Sequence, residues 1–414
     1  MRRTGLVLAL LVMALAGGES ALGARIVVDT PRELSAAVQR FERTGGVIVL
    51  RPGVYPRVVI GPRSARRLTL LAAGASARRL EIVRSRAVSV IGLTIRAPTG
   101  REAFATVVKS QGVVLDQVAV RGRAIAPARL NLTESTDVRI QRSRFSGCKE
   151  YAPCIHLGRS SRVRIAGSTF EECYGCDFVR GAVGTGLVIH DNVFGNALVG
   201  ECGPETGREC NHQDLIQIGG GENILVSRNH FGIYEIGAAQ VYLKGPLRNV
   251  VVRNNVFRAT DPIRPGHVAP VGITVGNVNE PVHPPLGVVI AHNTILSGAP
   301  HGRGSFSSIA LTPAYAARPP EDRPIVVNNV LAVVQTPEWL CDQAGAMINN
   351  IIREGTACSE TDLLVDPLLD PLSGMPGHDS PTIDRGATGW AVVDLNGDRR
   401  DALPDIGAYE HAGN

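Results

Sequence analysis

The sequence has little aromatic content, 4% of its 414 residues, and only three lysines, Lys109, Lys149 and Lys244, against forty arginines. So few flat rings leave little platform for stacking bases. The formal charge of +5 is spread along the chain rather than gathered in a stripe, so no nucleic-acid partner is expected. No apolar run reaches the roughly 20 residues that a spanning helix needs. The run from Leu6 to Ala16 follows Arg2 and Arg3 and precedes small residues around Ala21, Gly23 and Ala24. That is the pattern of a secretory signal peptide over residues 1–23, so a secreted or periplasmic chain with no membrane span is expected. Apolar residues at 44% are enough for a large core and exclude disorder, while 46 glycines and 26 prolines suit many turns between short strands.

A repeat sets the fold. The segments Val88 to Ile95, Val113 to Val120, Val138 to Phe145, Val163 to Phe170, Leu187 to Phe194, Ile224 to Phe231, Val250 to Phe257 and Val288 to Ile295 share one template. It reads apolar, any, apolar, two any, a small or amide residue, any, apolar. The closing residues of the first four units are 25, 25 and 25 positions apart, and Phe194 follows 24 later. Alternation with period two marks strands rather than helical hairpins. Two residues before the closing positions from Phe145 to Ile295, and before a looser ninth at Leu331, stand Ser143, Ser168, Asn192, Asn229, Asn255, Asn293 and Asn329. Asparagine tolerates a left-handed bend, and stacked amides can bond from coil to coil. The pattern predicts an all-β solenoid of about ten coils of parallel strands over residues 24–360.

Such a stack has two ends to cover. Thr30-Pro-Arg-Glu33 is a capping box with proline at the first helical position, and Leu34, Ala37, Val38 and Phe41 make one apolar stripe. A helix over about 31–43 is expected at the N-terminal end, and residues 361–414 are expected to form a turn-rich C-terminal cap. Asp394, Asn396 and Asp398 have calcium-loop spacing but lack the closing glutamate, so a turn is the better reading.

With Asp29-Thr-Pro-Arg-Glu-Leu34, Gly46-Val-Ile-Val-Leu-Arg-Pro-Gly-Val-Tyr55, Asp394-Leu-Asn-Gly-Asp-Arg-Arg400 and Pro404-Asp-Ile-Gly-Ala-Tyr-Glu410, the chain resembles the right-handed parallel β-helix proteins typified by pectate lyases. The resemblance covers nearly the whole chain after the signal segment.

Eight cysteines, an even number in an exported chain, point to disulfides. Cys148 and Cys173 lie three residues past the closing positions of adjacent coils, and Cys154 and Cys176 stand at the next strand. Pairing from coil to coil, local pairing of Cys148 with Cys154 and Cys173 with Cys176, and a four-cysteine zinc site all fit the spacing. Cys202 with Cys210 is expected to pin an inserted loop, and Cys341 with Cys358 to staple the C-terminal end.

In the second strand of each coil, inward Leu132, Leu157, Ile218, Leu243 and Val275 turn Asn131, His156, Gln217, Tyr242, Lys244 and Thr274 outward. Arg180 joins them if its coil keeps register, and Gln240 begins the strand that carries Tyr242. An extended row of amide, imidazole, phenol and cation suits a sugar chain, so the expected partner is an acidic polysaccharide and the expected state a monomer. Lys244 stands out because positive charge here is almost always supplied by arginine, whose guanidinium hardly loses its proton.

Asn211-His-Gln-Asp-Leu-Ile-Gln-Ile-Gly219, Tyr242-Leu-Lys-Gly245 and Arg264-Pro-Gly266 resemble polysaccharide lyase family six, the alginate lyase and chondroitinase B group. That resemblance implies β-elimination with Lys244 as base and Arg264 as acid, assisted by His156, Tyr242 or His212, and a calcium ion on the substrate carboxylate. Gly237 and Ala239 stand where the family has its two glutamates, which leaves Asn211, Asp214 and Glu235 as candidate ligands. Their ordinary role is in Asx turns and coil-closing hydrogen bonds. A uronate C5-epimerase starts with the same proton abstraction, but the compact Asp-Pro-His-Asp signature is missing. A polygalacturonase is excluded because the chain has no Asp-Asp pair. A carbohydrate-binding solenoid without catalysis is the alternative.

Overall fold

The computed structural model describes residues 24–62, 66–96, 103–122, 128–148, 152–195, 197–198, 214–232, 239–259, 271–276, 283–297, 307–334 and 340–411. The expected signal segment and the Cys202 and Cys210 pair lie outside them. The strands form long all-parallel sheets in which each strand pairs with its equivalents in the preceding and following coils. The chain is a right-handed parallel β-helix. Among the described residues, one sheet of 13 strands makes one face and a sheet of 22 strands makes the other two, which Ile155–Ala166 joins as a single strand running through the corner. No helix among the described residues is long and apolar enough to cross a membrane.

The closing positions of the sequence repeat are in register: Ile95, Val120, Phe145, Phe170, Phe194, Phe231, Phe257, Ile295 and Leu331 stand one above another. All are buried. The five phenylalanines form a continuous internal stack, with successive ring centroids 5.2, 4.8, 4.9 and 4.6 Å apart and the planes nearly parallel. Parallel in-register pairing imposes this arrangement, because identical positions of adjacent coils are neighbours.

Beside the stack runs a hydrogen-bonded ladder. The backbone N–H of Ser168 donates to Asn192 Oδ1, Asn192 to Asn229, Asn229 to Asn255, Asn255 to Asn293, Asn293 to Asn329 and Asn329 to Asn350, all at 2.9–3.1 Å. From Asn192 onward each amide nitrogen also donates to the next amide oxygen. The left-handed bend does not fall on these amides, as the sequence suggested, but on the residue before: Arg142, Asp191, Arg228, Asn254, His292 and Asn328 have φ between 49° and 57°. The bend turns the chain, and the following side chain is thereby aimed inward along the stack. A second ladder at another corner links Ser85, Ser110, Ser135 and Ser160 in the same way, each again preceded by a left-handed residue.

The helix Pro31–Arg40 has the expected capping box and buries Leu34 and Ala37; it stops at Arg40, with Phe41 as its C-cap. Phe41 joins the same core. The C-terminal segment differs from an end cap, because it lies lengthwise along the flank and grips the turn residues of successive coils. Asn254 Nδ2 donates to Val393 O at 2.6 Å, His292 Nδ1 meets Asp405 O at 3.1 Å, Asn328 exchanges two bonds with Ala387, and Asn349 Nδ2 donates to Arg385 O at 3.0 Å. Asp394 accepts from the backbone N–H groups of Asp398 and Glu410, which makes it a turn anchor. Of the disulfide alternatives, the local pairs Cys148–Cys154 and Cys173–Cys176 are formed, together with Cys341–Cys358.

Replacing Asn255 by alanine leaves the backbone N–H of Asn229 without an acceptor in a buried ladder, while its amide keeps Ile189 O and Ser227 O, and it removes the amide that bridges three coils, so Asn255→Ala is expected to cost about 3 kcal/mol in denaturant unfolding. Asn255→Ser, which restores the acceptor oxygen used at Ser143 and Ser168, should cost roughly half as much. Equal losses for the two would show that the ladder oxygen contributes nothing.

Candidate functional site

The outward row on the third face is continuous. Asn131 pairs with His156, His156 with Arg180, Arg180 with Gln217, Gln217 with Tyr242 and Tyr242 with Thr274. Adjacent members are one coil apart, about 4.8 Å, so the row is a polar strip roughly 24 Å long running across the strands. Lys244 lies two residues beyond Tyr242 in the neighbouring outward row. Its backbone N–H donates to Ile218 O at 2.9 Å, and its Nζ is 5.0 Å from the centre of the Tyr242 ring.

Behind this strip lie two buried carboxyls that the sequence reading missed as a pair. Asp177 and Asp214 are 4% and 1% exposed. Asp177 Oδ1 accepts from the N–H of Asp214, and Asp214 Oδ1 accepts from the N–H of Ala239, each at 2.9 Å. Each acid also holds the outward residue three positions on in its own strand: Asp177 Oδ2 is 3.6 Å from Arg180 Nε, and Asp214 Oδ2 accepts from Gln217 Nε2 at 2.9 Å. Burial pushes Asp177 up to about 6, against the N–H of Asp214 and the charges of Arg180 and Lys244. Burial and the Asp177 charge raise Asp214 well above the carboxylate range. Both acids feel Lys244, so a cation and an acid pair share one part of the strip. The available signal was positional: Asp177 and Asp214 both stand two residues before an inward Val179 or Ile216 of successive coils.

At the other end, Asn131 Oδ1 accepts from Thr133 Oγ1 at 3.2 Å and lies 2.9 Å from His156 Nδ1. With the amide oxygen as acceptor, Nδ1 carries the hydrogen and Nε2 keeps its lone pair. Burial, and then the Arg180 charge, lower the affinity of His156 for a proton. His156 is three coils from Tyr242, roughly 14 Å. That distance sets His156 apart from Lys244 along the strip, beside a different sugar of any chain laid on it.

Gln240 also departs from expectation. It is 2% exposed, and its Nε2 donates to Gly232 O at 3.3 Å and Arg258 O at 2.9 Å, so it braces a corner of the coil and does not face the groove. Asn211, His212, Glu235 and Arg264 lie outside the described residues. Calcium is not supported by the described donors. Both Asp214 oxygens already accept hydrogen bonds, its burial favours the neutral acid, and Ala239 supplies no ligand. Among the described residues no group of three or more His, Cys, Asp or Glu could hold a metal ion.

The chain matches no protein-family model and no curated protein. Among solved structures it is similar to pectate lyase Pel9A (12% identity, TM-score 0.41, covering 94% of this chain and 97% of that one). It is also similar to the polysaccharide lyase family six enzyme Pedsa3628 from Pseudopedobacter saltans (14%, 0.45, 89% and 100%). The Streptococcus pneumoniae surface protein and adhesin PfbA is a further likeness (12%, 0.48, 80% and 91%). Fold does not decide function, which has to be argued from the site.

Arg180→Gln should raise the His156 titration midpoint, followed by NMR of the imidazole, yet leave it below the ordinary value of about 6.5, because burial is the larger cause. An unchanged or lowered midpoint would show that the two side chains do not share the groove.

Proposed function

We propose that the protein is an exported β-eliminative lyase acting on a uronate-containing polysaccharide along the outward polar row. The observation that carries this reading is Lys244, in the outward row next to the polar strip, with its amine nitrogen 5.0 Å from the centre of the Tyr242 ring. Export is supported by the signal-like N-terminus and by the disulfides.

Elimination needs three things: a base for the C5 proton, relief of the charge that develops on the carboxylate side, and a proton for the departing O4. Lys244, as the free amine, takes the C5 proton. The C5 electron pair forms the C4–C5 double bond while the C4–O4 bond breaks. Tyr242 next to it, or Arg264 as the family resemblance implies, gives O4 its proton. Gln217, held through one amide hydrogen by Asp214, offers the other to the substrate one coil away. Arg180, held by Asp177, pairs with the carboxylate of a sugar farther along, Asn131 and His156 bind hydroxyls beyond it, and Thr274 binds hydroxyls one coil past Tyr242 on the opposite side. No step is routed through calcium, because the described donors do not fit it.

A second reading, carbohydrate binding without catalysis, is favoured by Ala239 at the place where the resemblance calls for an acid. The two are separated by incubating alginate, pectate and glycosaminoglycans with the protein, with and without calcium, and following the ultraviolet absorbance of unsaturated uronate. A rise that Lys244→Ala abolishes by at least a hundredfold is expected. Binding with no rise on any of these polymers would overturn the lyase in favour of the binding solenoid.

A further inference from the structure

The outward row that contains Lys244 holds Gly219 one coil earlier, since Ile218 pairs with Leu243 and the next residues follow in register. Glycine loses more conformational freedom on folding than any other residue, so at a position that could carry a side chain it weakens the coil relative to alanine. It is kept there for a special backbone angle, a crowding backbone, or a ligand that comes close. The neighbouring glycines have the first two reasons. Gly181 has φ +144° and a Cβ there would lie 2.0 Å from Leu157 O; Gly245 has φ +73° and would meet Gly219 O at 2.5 Å; Gly276 has φ +85° and would meet the Thr312 side chain at 2.2 Å.

Gly219 has neither. Its φ is outside the left-handed region, and among the described residues a Cβ would meet a single atom, Gly181 O, at 3.9 Å, an ordinary contact. Gly220 is equally unstrained but faces protein, with Ala182 Cβ at 3.7 Å and Pro246 Cγ at 4.0 Å. Among the described residues the coil therefore accepts a side chain at position 219, and the missing one leaves space between them next to Lys244, with Gln217 on the same strand face.

We propose that Gly219 is a specificity-determining position: its bare backbone lets a pyranose ring lie against the coil one step before the sugar whose C5 proton Lys244 removes. This inference rests on the groove being a uronate-binding site and deepens that reading. A ring is the occupant that fits, because Arg180 and Gln217 alongside supply a cation and an amide for a carboxylate and hydroxyls. A methyl or isobutyl group at 219 would lift the ring off the coil and away from the Lys244 amine.

The test uses the intact protein with Gly219→Ala and Gly219→Leu, and tetramers of galacturonate and of mannuronate as probes. Affinity is read by calorimetry, product by ultraviolet absorbance, and folding by unfolding temperature. We expect the tetramer that wild type binds to bind at least tenfold more weakly to Gly219→Leu and to an intermediate degree to Gly219→Ala, with unfolding temperatures unchanged. Equal affinity in wild type and the leucine variant overturns the inference, as does wild type binding neither tetramer, or a binding loss in the alanine variant matched by lowered unfolding temperature. If wild type binds a tetramer and forms no unsaturated product, the elimination chemistry fails, while a tenfold loss in the leucine variant still supports the seating role of Gly219.

Discussion

A backbone N–H of one coil donating to a side-chain oxygen of the next is the contact on which the rest of this molecule depends. It recurs from Ser143 through Asn192, Asn255 and Asn350 to Asp362, and again from Ser85 to Ser160. Parallel strands pair through evenly spaced bonds that by themselves tolerate a slip. A buried amide that must find its equivalent one coil away does not. A slip would leave several buried donors unmatched at once, each costing about 1–3 kcal/mol. Register is thereby held at these two corners, and the phenylalanine stack, which lies just past the amide corner on the 13-stranded sheet, follows from it.

The groove inherits its order from that register. Asn131, His156, Arg180, Gln217 and Tyr242 come from widely separated parts of the chain and are neighbours only because their coils align. The acids add a second level of order. Asp177 and Asp214 each brace the outward residue of their own strand while capping the N–H of the next coil, so the backbone ladder and the outward side chains share the same two carboxyls. At the following coil the acid gives way to Ala239, and there Lys244 stands.

The C-terminal segment explains a change in the turns. Early left-handed positions are occupied by Gln117 and Arg142, which extend into solvent or pair with acids; later ones are Asn254, His292, Asn328 and Asn349, whose side chains bond the backbone laid against them. The flank of the later coils is covered in this way. Asn254, beside the buried ion pair of Arg400 and Glu410, also accepts from Arg400 at 3.2 Å.

Much of the coil was legible in the linear text, because a period of about 25 residues with fixed apolar and amide positions can be satisfied only by stacking like on like. The closing residues, the amide ladder, the helix with its capping box and the composition of the outward row follow from spacing alone. Other features needed three dimensions. Alternation assigns a side chain to a face but says nothing of corners, so it could not tell that Gln240 turns into one or that Arg129, next to Leu130, is wholly buried against the Phe104 ring. Nor could spacing reveal that Asp177 and Asp214 meet, that His156 is three coils from Lys244, or that Gly219 is bare without being obliged to be. Those facts depend on distances between atoms far apart in the chain, and only the closed, stacked coil sets those distances.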